Sequence, residues 1–269
     1  MTAAAMTNLD RYIAAWRHAM DASIALGDGL ASEQWRARTE CPKWTVRDVY
    51  AHLVGGEEWM AAGHPRPDEG LARIAEGPVA ARRRYSGPEV LAELTDVYAQ
   101  RVRQLAENPP DPDEQTFTAY LAPITVEGLL RMRAFDAWVH EQDVRRAIGV
   151  PGNLDSDGAR IAAEIFVSAL PRIVGKTAGA PPGSVVRFTV DGELPFDYVV
   201  VVDESGRGAL IPADRPAVDA MAATLHLRMG WETFARLGAG RIAPESAEVS
   251  LDGDAEIAAR ILKGLAITP

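Results

Sequence analysis

Apolar side chains recur at helical spacing through the first half of the chain. Leu9, Ile13, Trp16, Met20 and Ile24 share one face of a helix predicted from Asn8 to about Ala25 and closed by Gly27. Thr45 and Asp48 have capping-box spacing, which predicts a second helix from Thr45 to about Ala62, before Gly63. Residues 63–87 are rich in glycine, proline and charge; they read as a long connection in which Arg82, Arg83 and Arg84 form a solvated basic run. A third helix is predicted from Pro88 to about Glu107, ahead of the Pro109-Pro110-Asp111-Pro112 break, and a fourth from about Thr125 to Ile148, ending at Gly149 with Pro151 beyond. Four helices with two long excursions predict a four-helix bundle with at least one extended connection.

Past Pro151 the period changes. One helix, about Asp155–Val174, leads into a Gly/Pro-rich stretch, and strand-like runs follow at Val185–Val190, Tyr198–Val202 and Ala222–Leu227. A helix at Trp231–Leu237, a short strand at Ala247–Leu251 and a last helix at Ala255–Leu265 complete a small α+β unit. The expected fold class is therefore α+β, with a helical bundle over 1–150 and an α+β domain over 151–269, which agrees with roughly 100–200 residues per domain for a chain of 269.

Composition narrows the chemistry. The longest apolar run, Tyr198–Val202, is far short of the roughly 18 residues of a membrane span, and the N-terminus lacks a basic region followed by an apolar block. A net charge of −10 opposes binding to nucleic acid or to an anionic membrane. The expectation is a cytoplasmic protein with neither partner. A single cysteine excludes an internal disulfide and a cysteine-cluster zinc site, so any metal has to be held by histidine and carboxylates. Cys41 itself, just before Pro42, reads as structural.

The informative segment is LLRMRAFDAWVHEQDVRR, residues 129–146. At about 100° per residue, Asp136, His140 and Asp143 fall within about 60° of one another, inside the apolar stripe of Leu129, Met132, Phe135 and Val139. Burying such groups is costly unless they are paired or hold a metal. Asp136 and His140, one turn apart, can reach one ion. The third donor has to come from another helix: His52 sits at the edge of the second helix's apolar arc, with Gly56 one turn later leaving room over it. His18 and His226 lack an acidic partner at ligand spacing, and His64 lies in a Gly/Pro loop. Spacing alone leaves other readings open. Asp136 and His140 also fit a plain ion pair, and Asp143 can serve Arg145 or Arg146, or support a ligating imidazole. Trp44, Trp59 and Trp138 read as core residues.

CPKWTVRDVYAHLVGGEEWM and FDAWVHEQDVRRAIG resemble the two signature helices of the mycothiol-dependent maleylpyruvate isomerase family, within the DinB-like metal-bundle superfamily. The resemblance covers most of residues 8–150. LHLRMGWETFARLGAGRI, followed by AEVSLDGDAEIAARIL, is similar to the sterol-carrier-like domain that often follows that bundle. The resemblance implies His52, Asp136 and His140 as ligands of a divalent metal, zinc. It further implies mycothiol, a small sugar thiol, as co-substrate, and Arg241, in Gly238-Ala239-Gly240-Arg241, as the cation for an anionic substrate. Asp136 departs from the glutamate of the family pattern, and the missing methylene shortens its reach by about 1.5 Å.

The implied chemistry is nucleophilic catalysis by a thiolate on a small electrophilic substrate. It is either addition to a cis double bond, rotation and elimination, as in the isomerase, or a transfer in which the thiol stays attached. The alternatives are a non-catalytic binding module for a small apolar ligand, with the Trp231–Leu237 and Ala255–Leu265 helices lining its cavity, and a metal-binding interaction protein.

Overall fold

A computed structural model describes residues 6–66, 71–118, 121–215 and 221–268; part of the predicted 63–87 connection, at 67–70, lies outside them. Helix α1 (Asn8–Asp28) begins at a Thr7/Asp10 capping box and is followed by the short α2 (Ser32–Trp35). Helix α3 (Val46–Ala61) starts at the anticipated Thr45/Asp48 capping box. Next come α4 (Leu71–Ala81) and α5 (Gly87–Glu107), the latter capped by Ser86 and Glu89. A small hairpin, β1 (Gln115–Phe117) with β2 (Pro123–Thr125), runs into α6 (Val126–Ile148). Gly149, at φ 70°, terminates α6 in the left-handed conformation that glycine adopts without steric cost. Helix α7 (Asp157–Arg172) continues into a π-turn at Ile173–Thr177.

The connection over 63–87 is not all loop: α4 packs against α3. Arg82 is also not solvated. It is buried between Glu58 of α3 at 2.6 Å and Glu93 of α5 at 2.5 Å, two carboxylates that draw it inward, whereas Arg83 and Arg84 are exposed.

By packing, the chain divides into two units, residues 1–161 and 162–269, with the division inside α7. In the first, α1 packs on α5 and α6, and α3 packs on the same two helices, closing a four-helix ring. Met20, Tyr50, Leu53, Leu94 and Trp138 fill its centre.

The second unit is built on a five-stranded sheet. Its strands are β3 (Val185–Asp191), β4 (Phe196–Val202), β5 (Gly208–Pro212), β6 (Leu225–Gly230) and β7 (Ser250–Gly253), ordered β5-β4-β3-β6-β7, with only the β3–β6 pair parallel. Alternate β3 residues Val186, Phe188 and Val190 are buried. Helix α8 (Trp231–Gly238) packs on β3 and β6, and α9 (Ala255–Gly264) on β7 and the π-turn. Trp231, Phe234 and Ile261 are core residues, so both helices are filled by their own side chains. Among the described residues, no helix is long and apolar enough to cross a membrane.

The α3–α4 contact depends on a missing side chain. A Cβ at Gly55 would come 2.0 Å from Cγ of Pro78. Alanine in a helix interior normally stabilises relative to glycine by about 1 kcal/mol. Here Gly55→Ala is expected to lose about 1–3 kcal/mol through overpacking, read from the urea midpoint at constant slope.

Candidate metal centre

Helix α3 presents His52 near its middle, and α6 presents Asp136 and His140 one turn apart. Their donor atoms all lie within 4.8 Å of one another. His52 Nε2 is 3.5 Å from Asp136 Oδ2, and His140 Nε2 is 3.7 Å from Asp136 Oδ1. Donors about 2.0–2.1 Å from a tetrahedral ion stand roughly 3.3–3.4 Å apart, and each imidazole lies near that spacing from the Asp136 carboxylate, through a different oxygen.

Each donor is prepared differently. Both ring nitrogens of His52 are buried without a hydrogen-bond partner. Burial pushes its pKa down, against the pull of Asp136, and a neutral imidazole is the form that ligates. His140 Nδ1 is 2.9 Å from Oδ2 of the fully buried Asp143, which fixes the tautomer and leaves Nε2 with its lone pair toward Asp136. Burial opposes ionisation of Asp136, but Arg133 first, then the two imidazoles, hold its carboxyl well below the usual range. The Asp136 side chain is 31% exposed, so the cluster has an open side. Trp44 is buried against both imidazoles, with ring centroids at 4.9 and 5.7 Å. Two nitrogens and one carboxylate, with an orphaned buried imidazole among them, fit a divalent ion such as zinc.

Beneath the cluster lies a charge network that sequence reasoning missed. Glu57, only 1% exposed, accepts from Trp16 Nε1 at 3.0 Å and from Arg133 Nη2 at 2.7 Å, and Arg101 Nε lies 3.9 Å from its other oxygen. Arg133 Nη1 also donates to Asp136 Oδ2 at 2.8 Å. The four contributors come from α1, α3, α5 and α6, one from each helix of the ring. The available signal was Arg133 three positions before Asp136 and Glu57 inside an apolar helix.

Other candidates fall elsewhere. The room over Gly56 is taken by the Arg133 guanidinium rather than left over His52. Cys41 is buried, and its sulfur gathers with His140 and Asp143. Arg241 is buried in the second unit, donating from Nη1 to the Ala239 carbonyl at 2.7 Å. Trp138 is core, and Trp59 is half-buried, donating to the Pro65 carbonyl at 2.8 Å. His64 bonds Thr116, His226 bonds Thr189, and His18 is exposed.

Fold and cluster define a class: a four-helix bundle with a central His–Asp–His donor set, followed by an α+β unit. Residues 16–145 match the family model described as the mycothiol maleylpyruvate isomerase N-terminal domain, so the helical bundle is similar to the N-terminal domain of that family. The crystal structure of the mycothiol-dependent maleylpyruvate isomerase has the same fold, with a TM-score of 0.60 at 14% identity over 91% of this chain and 92% of that one. A mutant of that enzyme gives 0.58 at 14% identity, over 90% and 92%. An uncharacterized protein of Mycobacterium tuberculosis strain H37Rv is 28% identical over 151 residues, 55% of this chain and 75% of its own length, as is its counterpart in strain CDC 1551 / Oshkosh.

The depressed His52 pKa carries a pH dependence. The unfolded chain binds this proton more readily than the folded one, so the stabilising contribution is present above about pH 6.5 and is lost as pH falls below it. Metal-free protein is expected to show a urea midpoint that falls between about pH 7.5 and about pH 5.5, a fall flattened in His52→Gln.

Proposed function

We propose that the chain is a mycothiol-dependent enzyme holding a divalent metal, zinc, on His52, Asp136 and His140. Its reaction is a cis–trans isomerisation of maleylpyruvate type or a mycothiol S-transfer, on a small electrophilic substrate in the cytosol. The observation that carries this reading is the convergence of the three donors around a buried imidazole with no hydrogen-bond partner, in a bundle that matches the N-terminal domain of this family.

The metal, when bound, supplies a Lewis acid that keeps a thiol sulfur deprotonated near neutral pH. The chain's residues do the rest. His52 and His140 offer neutral nitrogens, and Asp143 holds the second of these rings in its ligating tautomer. Asp136 brings one negative charge, offset by Arg133, so a bound divalent ion keeps its attraction for an anionic sulfur. Trp44 walls the imidazoles off from water. We assign to Arg241 the binding of a substrate carboxylate, for which a guanidinium offers paired donors.

Purified protein is expected to contain close to one zinc ion per chain, and His52→Ala to lose it while keeping its helical circular dichroism. Maleylpyruvate, or another electrophile, is then consumed only when mycothiol is present. Natively folded protein that takes up no metal overturns the ligand set; metal-loaded protein with no thiol-dependent turnover overturns the enzyme assignment. Arg241→Gln is expected to raise KM for an anionic substrate by about tenfold to a hundredfold, the size of one charged hydrogen bond, with zinc content unchanged.

A further inference from the structure

We propose that Arg133 is a positioning residue that fixes Asp136 as a one-oxygen metal ligand, and that Gly56 is the notch that admits it. The inference rests on the metal reading above and concerns how this chain accommodates aspartate at the carboxylate position. The guanidinium of Arg133 is held at both ends, by Asp136 Oδ2 at 2.8 Å and by Glu57 Oε1 at 2.7 Å. Glu57 is no loose anchor, because Trp16 Nε1 holds the same oxygen at 3.0 Å. Oδ2, 3.5 Å from His52 Nε2, is engaged by Arg133, so the carboxylate oxygen that accepts no arginine hydrogen bond is Oδ1, which stands 3.7 Å from His140 Nε2. Chelation through both oxygens would make Oδ2 share its negative charge between the metal and the arginine, which disfavours it relative to ligation through Oδ1 alone.

Gly56 provides a second, independent observation. A Cβ there would lie 2.7 Å from Nη2 of Arg133 and 2.9 Å from its Cζ and Nη1. Any side chain at 56 therefore drives the guanidinium off its two acceptors. The end of an arginine is ordinarily able to swing aside, but this one is tied to Glu57 and Asp136 and cannot move without breaking one of those bonds. Aspartate, with one rotatable bond fewer than glutamate, has little freedom to follow. The planar fork of arginine spans two carboxylates in a way that a single ammonium does not.

Three measurements test this. In the unaltered protein, the zinc-minus-apo infrared difference spectrum is expected to show the wide carboxylate splitting of one-oxygen ligation; the narrow splitting of a chelate overturns the proposal. Cobalt-substituted protein is expected to show intense four-coordinate visible bands. In Gly56→Ala, which retains every charge, and in the paired variant Arg133→Met with Glu57→Met, which removes one charge of each sign, these bands are expected to weaken as Oδ2 also binds. Zinc affinity should fall about 10- to 100-fold in both, the usual effect of removing a group that orients a ligand, and Arg133→Lys should not restore it. Unchanged affinity and unchanged cobalt spectra in folded Gly56→Ala and in the paired variant overturn the role of Arg133. Failure of the unaltered protein to bind zinc or cobalt at all overturns instead the metal reading on which it rests.

Discussion

A carboxylate sealed inside a helical bundle has to be matched by donors, and Glu57 meets that demand with partners from every wall of the ring. Leaving such a group unmatched costs about 3–5 kcal/mol, so its partners are held in place as firmly as the helices that carry them. Trp16, Arg101 and Arg133 converge on it from α1, α5 and α6, while Glu57 itself rides on α3. The apolar core brings the four helices together without direction; the knot around Glu57 sets which faces meet. Because Arg133 continues from Glu57 to Asp136, the same knot that registers the helices also aims a donor of the cluster. Fold and site are joined through one guanidinium.

The histidines are tuned by the same logic of matching, applied unevenly. His140 has a hydrogen-bonded partner in Asp143, whereas neither nitrogen of His52 makes a hydrogen bond, Nε2 standing 3.5 Å from Asp136. An unsatisfied imidazole at the centre of a packed bundle costs stability, and a chain retains one where something else satisfies it. The contrast between two rings whose centroids are 4.6 Å apart locates the demand for a ligand on the His52 side of the cluster.

The helical half was legible because its signals are local. Thr45 and Asp48 announce a helix start within four residues, and Gly149 announces an end by the conformation only it adopts cheaply. His52, Asp136 and His140 were legible for a related reason: helical spacing puts two of them on one face, and few histidines remain to supply the third. Helix α4 was missed because its glycine and Pro78 are composition typical of a loop, and only packing on Gly55 makes that segment worth ordering. Strand β5 was missed because its five residues begin with glycine and end with proline, and its order comes from pairing with β4. Glu57 with Arg133, and Arg82 with Glu58 and Glu93, join residues on different helices. No periodicity within one segment encodes a partner that far along the chain.

Cys41 extends the argument from donors to the nucleophile. The chain's single thiol gathers with His140 and Asp143 rather than with His52 and Asp136, and it is buried. It therefore stands beside the carboxylate that supports the imidazole, not at the partly exposed side of the cluster marked by Asp136. A sulfur that is to act on a substrate has to reach that open side, which a side chain fixed in the segment before α3 does not do. The open side consequently suits a thiol brought in from solution. The position of Cys41, and not merely the cysteine count, is what makes an external thiol chemically sensible here.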